Sequence, residues 1–271
     1  MYYSPMLSFL RIICFVIWTL ICSPIQFFFR YSYKYFFVIL KIYFKGLLFI
    51  FGIKIKTFGI PEKKRTIFVS NHTSYLDILI LGSNVEGLFV AKSEISTWPV
   101  INKLCKLANT IFISRRKIFS TKEQIGIINS KLKNGFNIIL FPEGTSNDGN
   151  KVLPFKSSLF SITERPENKN FCVQPISITY SRLDGIPLNR MFKPFFAWYG
   201  NMDLLPHAWK FLGMGNCEIN LHYHKSLKFD EFSSRKEFSN YCYHIISKQV
   251  SVDFRKCDYS QELNLYNYKH L

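Results

Sequence analysis

No aspartate or glutamate occurs before Glu62, while phenylalanine, isoleucine, leucine and tyrosine crowd around Arg11, Arg30, Lys34, Lys41, Lys45, Lys54 and Lys56. A stretch that is both free of carboxylates and this apolar favours a lipid surface over nucleic acid. The whole chain follows the same sign, with 35 Lys plus Arg against 18 Asp plus Glu and a net charge of +17. Such an excess admits an anionic lipid surface, nucleic acid or an acidic substrate as partner. Its placement among hydrophobes makes membrane lipids the expected partner, with no nucleic acid.

Residues 12–22 are almost unbroken hydrophobe, and the run resumes after Ser23 and Pro24 through 25–29, bracketed by Arg11 and Arg30. A spanning helix needs about 20 apolar residues, so the run either crosses a bilayer or turns back near Pro24. A cleaved signal peptide is the competing reading. No A-x-A-like site follows the apolar core, and the next segment is apolar again. Over 31–51, Lys34, Lys41 and Lys45 fall on one helical face with Phe36, Phe37, Ile39, Leu40 and Phe44 around the rest. This is an interfacial amphipathic pattern, and a core helix with a solvated lysine stripe is the alternative. The seven cysteines form no CxxC pair, and an odd count does not read as a disulfide framework, which points to a reducing compartment.

At 271 residues the chain has room for one sizeable domain and an appendage. Residues 53–58 alternate apolar and polar, Gly59 and Pro61 punctuate, and a charged turn leads into a strand at Ile67, Phe68 and Val69. Strands at 88–91, 111–113, 138–141, 172–180 and 219–224 then alternate with helices at 99–107 and 121–132. This alternation predicts an α/β fold with one largely parallel sheet flanked by helices. A last helix starts near Ser234 with Glu237 completing a capping box, and it places Phe238, Tyr241, Cys242, Ile245 and Ile246 on one face. Beyond Val252 the chain is polar and expected to fray. The resulting division is 1–56 as membrane-anchoring helices, 57–232 as the α/β domain, and 233–271 as the terminal helix and tail.

Two segments carry chemistry. In 71–77 (NHTSYLD), His72 sits at a strand-to-helix turn with a carboxylate, Asp77, five residues on. Such a pair lets the carboxylate orient the imidazole while the other ring nitrogen takes a proton from a hydroxyl. Ser74 to Asp77 is also an S-x-x-D capping box, which accounts for Asp77 without catalysis. The spacing alone leaves both readings open. In 141–146 (FPEGTS), Glu143, Gly144 and Thr145 again follow a strand, where open α/β sheets collect ligands, although a plain turn reads the same way. Both segments lie at the carboxyl ends of predicted strands and would converge. His222 and His224 share a strand face but have no third ligand in reach of the pattern, so no metal is expected.

Taken together, these residues resemble the glycerolipid acyltransferases of the lysophosphatidate (1-acyl-sn-glycerol-3-phosphate) acyltransferase type, over most of 45–225. Asn71, His72 and Asp77 match the family's NHx4D motif, and 141–145 reproduces its FPEGT motif. Val173, Gln174, Pro175 and Ile176 resemble its proline-centred apolar block. Residues 111–115 (IFISR) resemble its second block, with Ser114 where an Asp usually precedes the Arg and Asn109 where a Gly is usual. The resemblance implies a single mixed, largely parallel sheet and direct acyl transfer. His72 takes the proton of the acceptor hydroxyl, Asp77 positions His72, and the hydroxyl attacks a thioester carbonyl without an acyl-enzyme. The absence of a GxSxG elbow, and of cysteine in either motif, agrees with this.

By the same resemblance Glu143, Gly144 and Thr145 bind the acceptor, with Lys156 a further candidate. Arg115 is suited to hold a phosphate, because guanidinium pairs with it in a bidentate fork; Arg116 and Lys117 are read as solvated. Residues 198–207 resemble a segment of some bacterial members and receive no role. No cofactor is expected beyond acyl-CoA or acyl carrier protein as donor. The expected product is phosphatidic acid made from a lysolipid at the cytoplasmic face of a bacterial inner membrane. Acylation of lyso-ornithine lipid, for which a phosphate-binding Arg115 matters less, is the alternative. A non-catalytic membrane lipid-binding protein is the rival of another class.

Overall fold

The computed structural model describes residues 3–63, 65–113, 122–164, 170–190 and 192–268. Two helices, α1 (Pro5–Phe29) and α2 (Tyr33–Ile50), precede β1 (Ile53–Phe58), β2 (Thr66–Ser70), α3 (Leu76–Asn84) and β3 (Leu88–Lys92). There follow α4 (Pro99–Leu107), β4 (Ile111–Ile113), α5 (Lys122–Lys133), β5 (Ile138–Leu140), β6 (Cys172–Leu183), β7 (Ile186–Pro187), α6 (Leu204–Leu212), β8 (Cys217–Tyr223) and α7 (Arg235–Tyr268). The strands lie in the order β1-β8-β6-β2-β5-β3-β4, with β7 on β6. From β6 across to β4 every pair is parallel, whereas β8 runs antiparallel to β6 and carries β1 parallel to itself. The mixed, largely parallel sheet expected from the sequence is therefore formed. Every residue of β2, at its middle, is buried, as a strand covered on both faces must be.

The proline and serine at the start of α1 define its first turn. Ser4 caps it by accepting from the Leu7 amide at 3.3 Å, and Pro5 occupies the first helical turn, where no amide hydrogen is missed. Pro24 lies inside the helix, which continues unbroken to Phe29. By length and composition alone α1 is apolar enough to cross a membrane. Its amino-terminal half is tied to the domain. Arg11 donates to the carbonyls of Leu212 and Met214 at 3.0 and 2.6 Å, and Ser8 donates to Trp209 O at 2.8 Å. These bonds satisfy carbonyls at the end of α6 that have no partner in their own helix. The outer face of α1, including Phe9, Ile13, Ile17, Leu20 and Phe28, stays exposed.

The alternative of a core helix describes the inner side of α2. Phe36, Phe37, Leu40, Phe44, Leu47 and Leu48 are buried, and Phe44 packs against α3 at Gly82, where a side chain would have no room. Lys41 pairs with Glu86 at 2.9 Å. Tyr35, Val38, Ile42 and Phe49 face outward, so the helix has a second apolar face as well. The boundary drawn between 56 and 57 falls inside β1, and the one between 232 and 233 falls just ahead of α7.

On the opposite side of the sheet α7 covers β6. Ser234 accepts from the Glu237 amide at 3.2 Å and Glu237 returns to the Ser233 amide at 3.0 Å, so the box is closed one residue wider than its sequence form. Phe238, Cys242, Ile246 and Val250 are buried, Tyr241 is exposed, and the helix runs past Val252 to Tyr268. His222 and His224 sit in this interface. His222 Nε2 meets Asp253 at 3.0 Å and His224 Nε2 meets Ser177 Oγ at 2.7 Å. Burial, with the neighbouring His222 adding to it, pushes His224 down to about 4, and Asp253 opposes the shift.

A histidine whose folded pKa is depressed binds its proton more readily when unfolded. Its contribution to stability is whole above pH 6.5 and is lost as pH falls towards about 4. Relative to a His224→Gln variant, wild-type protein is expected to lose up to ~3 kcal/mol across that window. Thermal melts of both proteins in buffers spanning it measure the difference, and parallel curves would refute the assignment.

Candidate active site

β2 and β5 pair in parallel with Val69 opposite Leu140, so the chains leaving their carboxyl ends emerge side by side. One carries 71–77 and the other 141–147. Asn71 fixes the first of these loops to the neighbouring strand on the other side. Its side-chain amide donates to Ile178 O and accepts from Ile178 N, both at 2.9 Å. The next residue is thereby presented at the sheet edge, with the His72 side chain 20% exposed.

Asp77 faces back to His72 from the first turn of α3 and is fully buried. Its Oδ2 accepts from His72 Nδ1 at 2.9 Å and from the amides of Thr73 and Ser74 at 2.7 and 2.9 Å. Its Oδ1 accepts from the Tyr180 hydroxyl at 2.7 Å. With a carboxylate on Nδ1, that nitrogen carries the imidazole proton and Nε2 is the basic one. One oxygen of Asp77 serves both the turn and the imidazole. The bond from the Ser74 amide is the carboxylate arm of a capping box, while the buried Ser74 hydroxyl has no partner. The same oxygen that tightens the turn orients the imidazole.

The imidazole rests on the Phe141 ring, with centroids 4.0 Å apart and planes 18° from parallel, and Phe89 stacks below Phe141. Glu143 is 2% exposed. Its Oε1 accepts the His72 amide at 2.7 Å, and its Oε2 accepts Asn147 Nδ2 at 2.6 Å and the Leu153 amide at 2.9 Å. Burial pushes this carboxyl up to about 7; the bonds from His72, Leu153 and Asn147 pull it down, and the charge of Asp77 adds to the rise. Both oxygens are thus occupied by chain donors, one of them the His72 amide. Gly144 has φ of +72° with Lys156 Nζ lying where a side chain would go, a position that suits only glycine. Thr145 is exposed beside it. Ser114, Arg115, Arg116 and Lys117 lie outside the described residues.

The segment 198–207 closes over the 73–75 turn. The Trp198 amide donates to Thr73 O at 3.0 Å, and Tyr75 packs edge-on to Trp198 while its hydroxyl meets His207 at 3.2 Å. Among the described residues no serine, threonine or cysteine side chain bonds the imidazole, and no three His, Cys, Asp or Glu gather as a metal site. Sequence reasoning missed Asn147 and Tyr180. Asn147 stands four residues beyond Glu143 in the same loop, but no spacing signals Tyr180, which lies 103 residues from the carboxylate it meets.

The site is thus a buried acid–histidine pair at the carboxyl ends of the parallel strands. A family model described as Acyltransferase matches residues 54–179. Over 209 residues the chain is 34% identical to the lyso-ornithine lipid O-acyltransferase of Rhizobium meliloti (strain 1021), covering 75% of this chain and 72% of that protein. It is 36% identical over 101 residues to the 1-acyl-sn-glycerol-3-phosphate acyltransferase of Neisseria gonorrhoeae, covering 37% of this chain and 40% of that one. The fold matches the crystal structure of the 1-acyl-sn-glycerophosphate acyltransferase of Thermotoga maritima with a TM-score of 0.67 at 22% identity, over 91% of this chain and 94% of that one. The chain belongs to the lysolipid acyltransferase family.

A Glu143→Gln substitution sets an amide NH2 against backbone and Asn147 donors. It is expected to cost about 1–3 kcal/mol of stability and to lower turnover by displacing His72. Denaturant melts and initial rates check both effects; wild-type values in the two assays would contradict the positioning role.

Proposed function

We propose that the protein transfers an acyl group from a thioester donor, acyl-CoA or acyl carrier protein, to the hydroxyl of lyso-ornithine lipid. The observation that carries the chemistry is the 2.9 Å contact of His72 Nδ1 with the buried Asp77, which leaves Nε2 to take the acceptor's proton as the hydroxyl attacks the thioester carbonyl. The acceptor is favoured by the reach of the similarity. The lyso-ornithine lipid enzyme of Rhizobium meliloti matches over 75% of the chain, and the 1-acyl-sn-glycerol-3-phosphate enzyme of Neisseria gonorrhoeae over 37%. This replaces lysophosphatidate, the first expectation from the motifs.

An amino-acid headgroup presents a carboxylate in place of a phosphate, and a guanidinium fork pairs with either, so Arg115 is assigned to that group. Gly144 and Thr145 flank the entry for the acceptor, with Glu143 holding the loop. The outward apolar faces of α1 and α2 are assigned to the membrane, at the cytoplasmic face of a bacterial inner membrane. Because Ser8 and Arg11 bind α6, α1 lies along the domain and seats it on the lipid.

The test offers lyso-ornithine lipid and lysophosphatidate in parallel to the detergent-solubilised full chain, each with acyl-CoA and with acyl carrier protein. Transfer to lyso-ornithine lipid is expected, with kcat reduced about 10²- to 10⁴-fold in His72→Ala. Transfer to lysophosphatidate alone would overturn the acceptor, and turnover independent of His72 would overturn the mechanism.

A further inference from the structure

Asp77 is held unequally on its two oxygens. Oδ2 collects three donors, all from the adjacent turn, whereas Oδ1 receives one, the phenolic O–H of Tyr180 at 2.7 Å. Tyr180 is buried on β6, its ring 5.9 Å from that of Phe196, and the ladder to β8 shifts register just after it. Such irregularities re-aim a side chain relative to the regular pleat. The strand is also the one to which Asn71 is bonded at Ile178, so the phenol and the base are referenced to the same piece of sheet.

We propose that Tyr180 is a positioning residue for acyl transfer, fixing through Oδ1 the orientation in which Asp77 Oδ2 holds His72 Nδ1. A carboxylate turns about a soft, broad torsion that moves both oxygens together, so the donor at Oδ1 resists that turn from the side opposite the three at Oδ2. It also satisfies an oxygen that the adjacent turn leaves without a donor, and a buried charged oxygen lacking one is costly. His72 alternates between imidazole and imidazolium during transfer, and the pair must keep one geometry in both forms for the proton to leave the hydroxyl along the same path. The proposal rests on the acyl-transfer reading of His72.

Tyr180→Phe keeps the ring and removes only the hydroxyl. With whichever acceptor wild-type protein uses, kcat is expected to fall about 10- to 100-fold, the worth of one hydrogen bond to a charged group, with KM for both substrates within about twofold. The decisive comparison repeats the substitution in Asp77→Asn. If Tyr180 acts through the carboxylate, Tyr180→Phe costs no further kcat there; an equal loss in both backgrounds overturns the proposal, as does an unchanged kcat in the first.

A second readout needs no acceptor. The downfield proton resonance of His72 Nδ1–H, identified by its loss in His72→Ala, is expected to move in Tyr180→Phe. It should move also on replacement of Tyr180 by a fluorotyrosine, which keeps the hydroxyl and alters its acidity should the phenylalanine variant fail to fold. A resonance that stays in place overturns the proposal. Wild-type protein inert towards every acceptor would instead count against the function, with the resonance still deciding the role of Tyr180.

Discussion

A carboxylate taken wholly out of water is tolerated only where donors replace the lost hydration. Asp77 is such a group, and four donors surround it. Glu143 is a second, with three. Both acids take a donor from the same residue, Asp77 from the ring of His72 and Glu143 from its amide. The histidine is therefore gripped at its side chain by one loop and at its backbone by another, and Phe141 supplies the floor beneath the ring. The remaining donors come from residues 73, 74, 147, 153 and 180, so a local demand for solvation draws three separate stretches of chain together.

Those stretches meet only because of sheet register. β2 lies between β5 and β6, with Val69 opposite both Leu140 and Pro175. A slip by one residue would turn every side chain of a strand to the other face, carrying Tyr180 to the side of α7 and Ser181 to the side of Asp77. The paired amide of Asn71 works against such a slip, because its two bonds to Ile178 would be lost. The polar face of β6, with Ser177 and Thr179, is turned towards α7 and the His222 and Asp253 pair.

The order of the main strands was legible because each strand of the parallel part is a short apolar run bounded by turn residues, whereas α6 and β7 were not foreseen. His72, Asp77 and the 141–145 loop were legible because they are local, lying within a few residues of a strand end. What the sequence did not show has in each case a partner far along the chain. The inward face of α2 is core because it packs on α3, which its lysine spacing does not reveal. Glu143 looks like a surface loop acid and is buried because the His72 amide needs an acceptor. Tyr180 reads as an ordinary strand aromatic until the fold brings the Asp77 carboxylate to its hydroxyl. The antiparallel return of β8, with β1 beyond it, likewise depends on which edge remains open once the parallel strands have paired.

A single helix packing connects the apolar surface to the His72 and Asp77 pair. The outer faces of α1 and α2 are hydrophobic, the inner face of α2 packs on α3, and the first turn of α3 carries Asp77. Gly82 allows the Phe44 ring close against the helix, and close-packed interiors transmit displacement rather than absorb it. Packing of α2 on α3 therefore fixes where the His72 and Asp77 pair lies relative to the outward apolar face of α2.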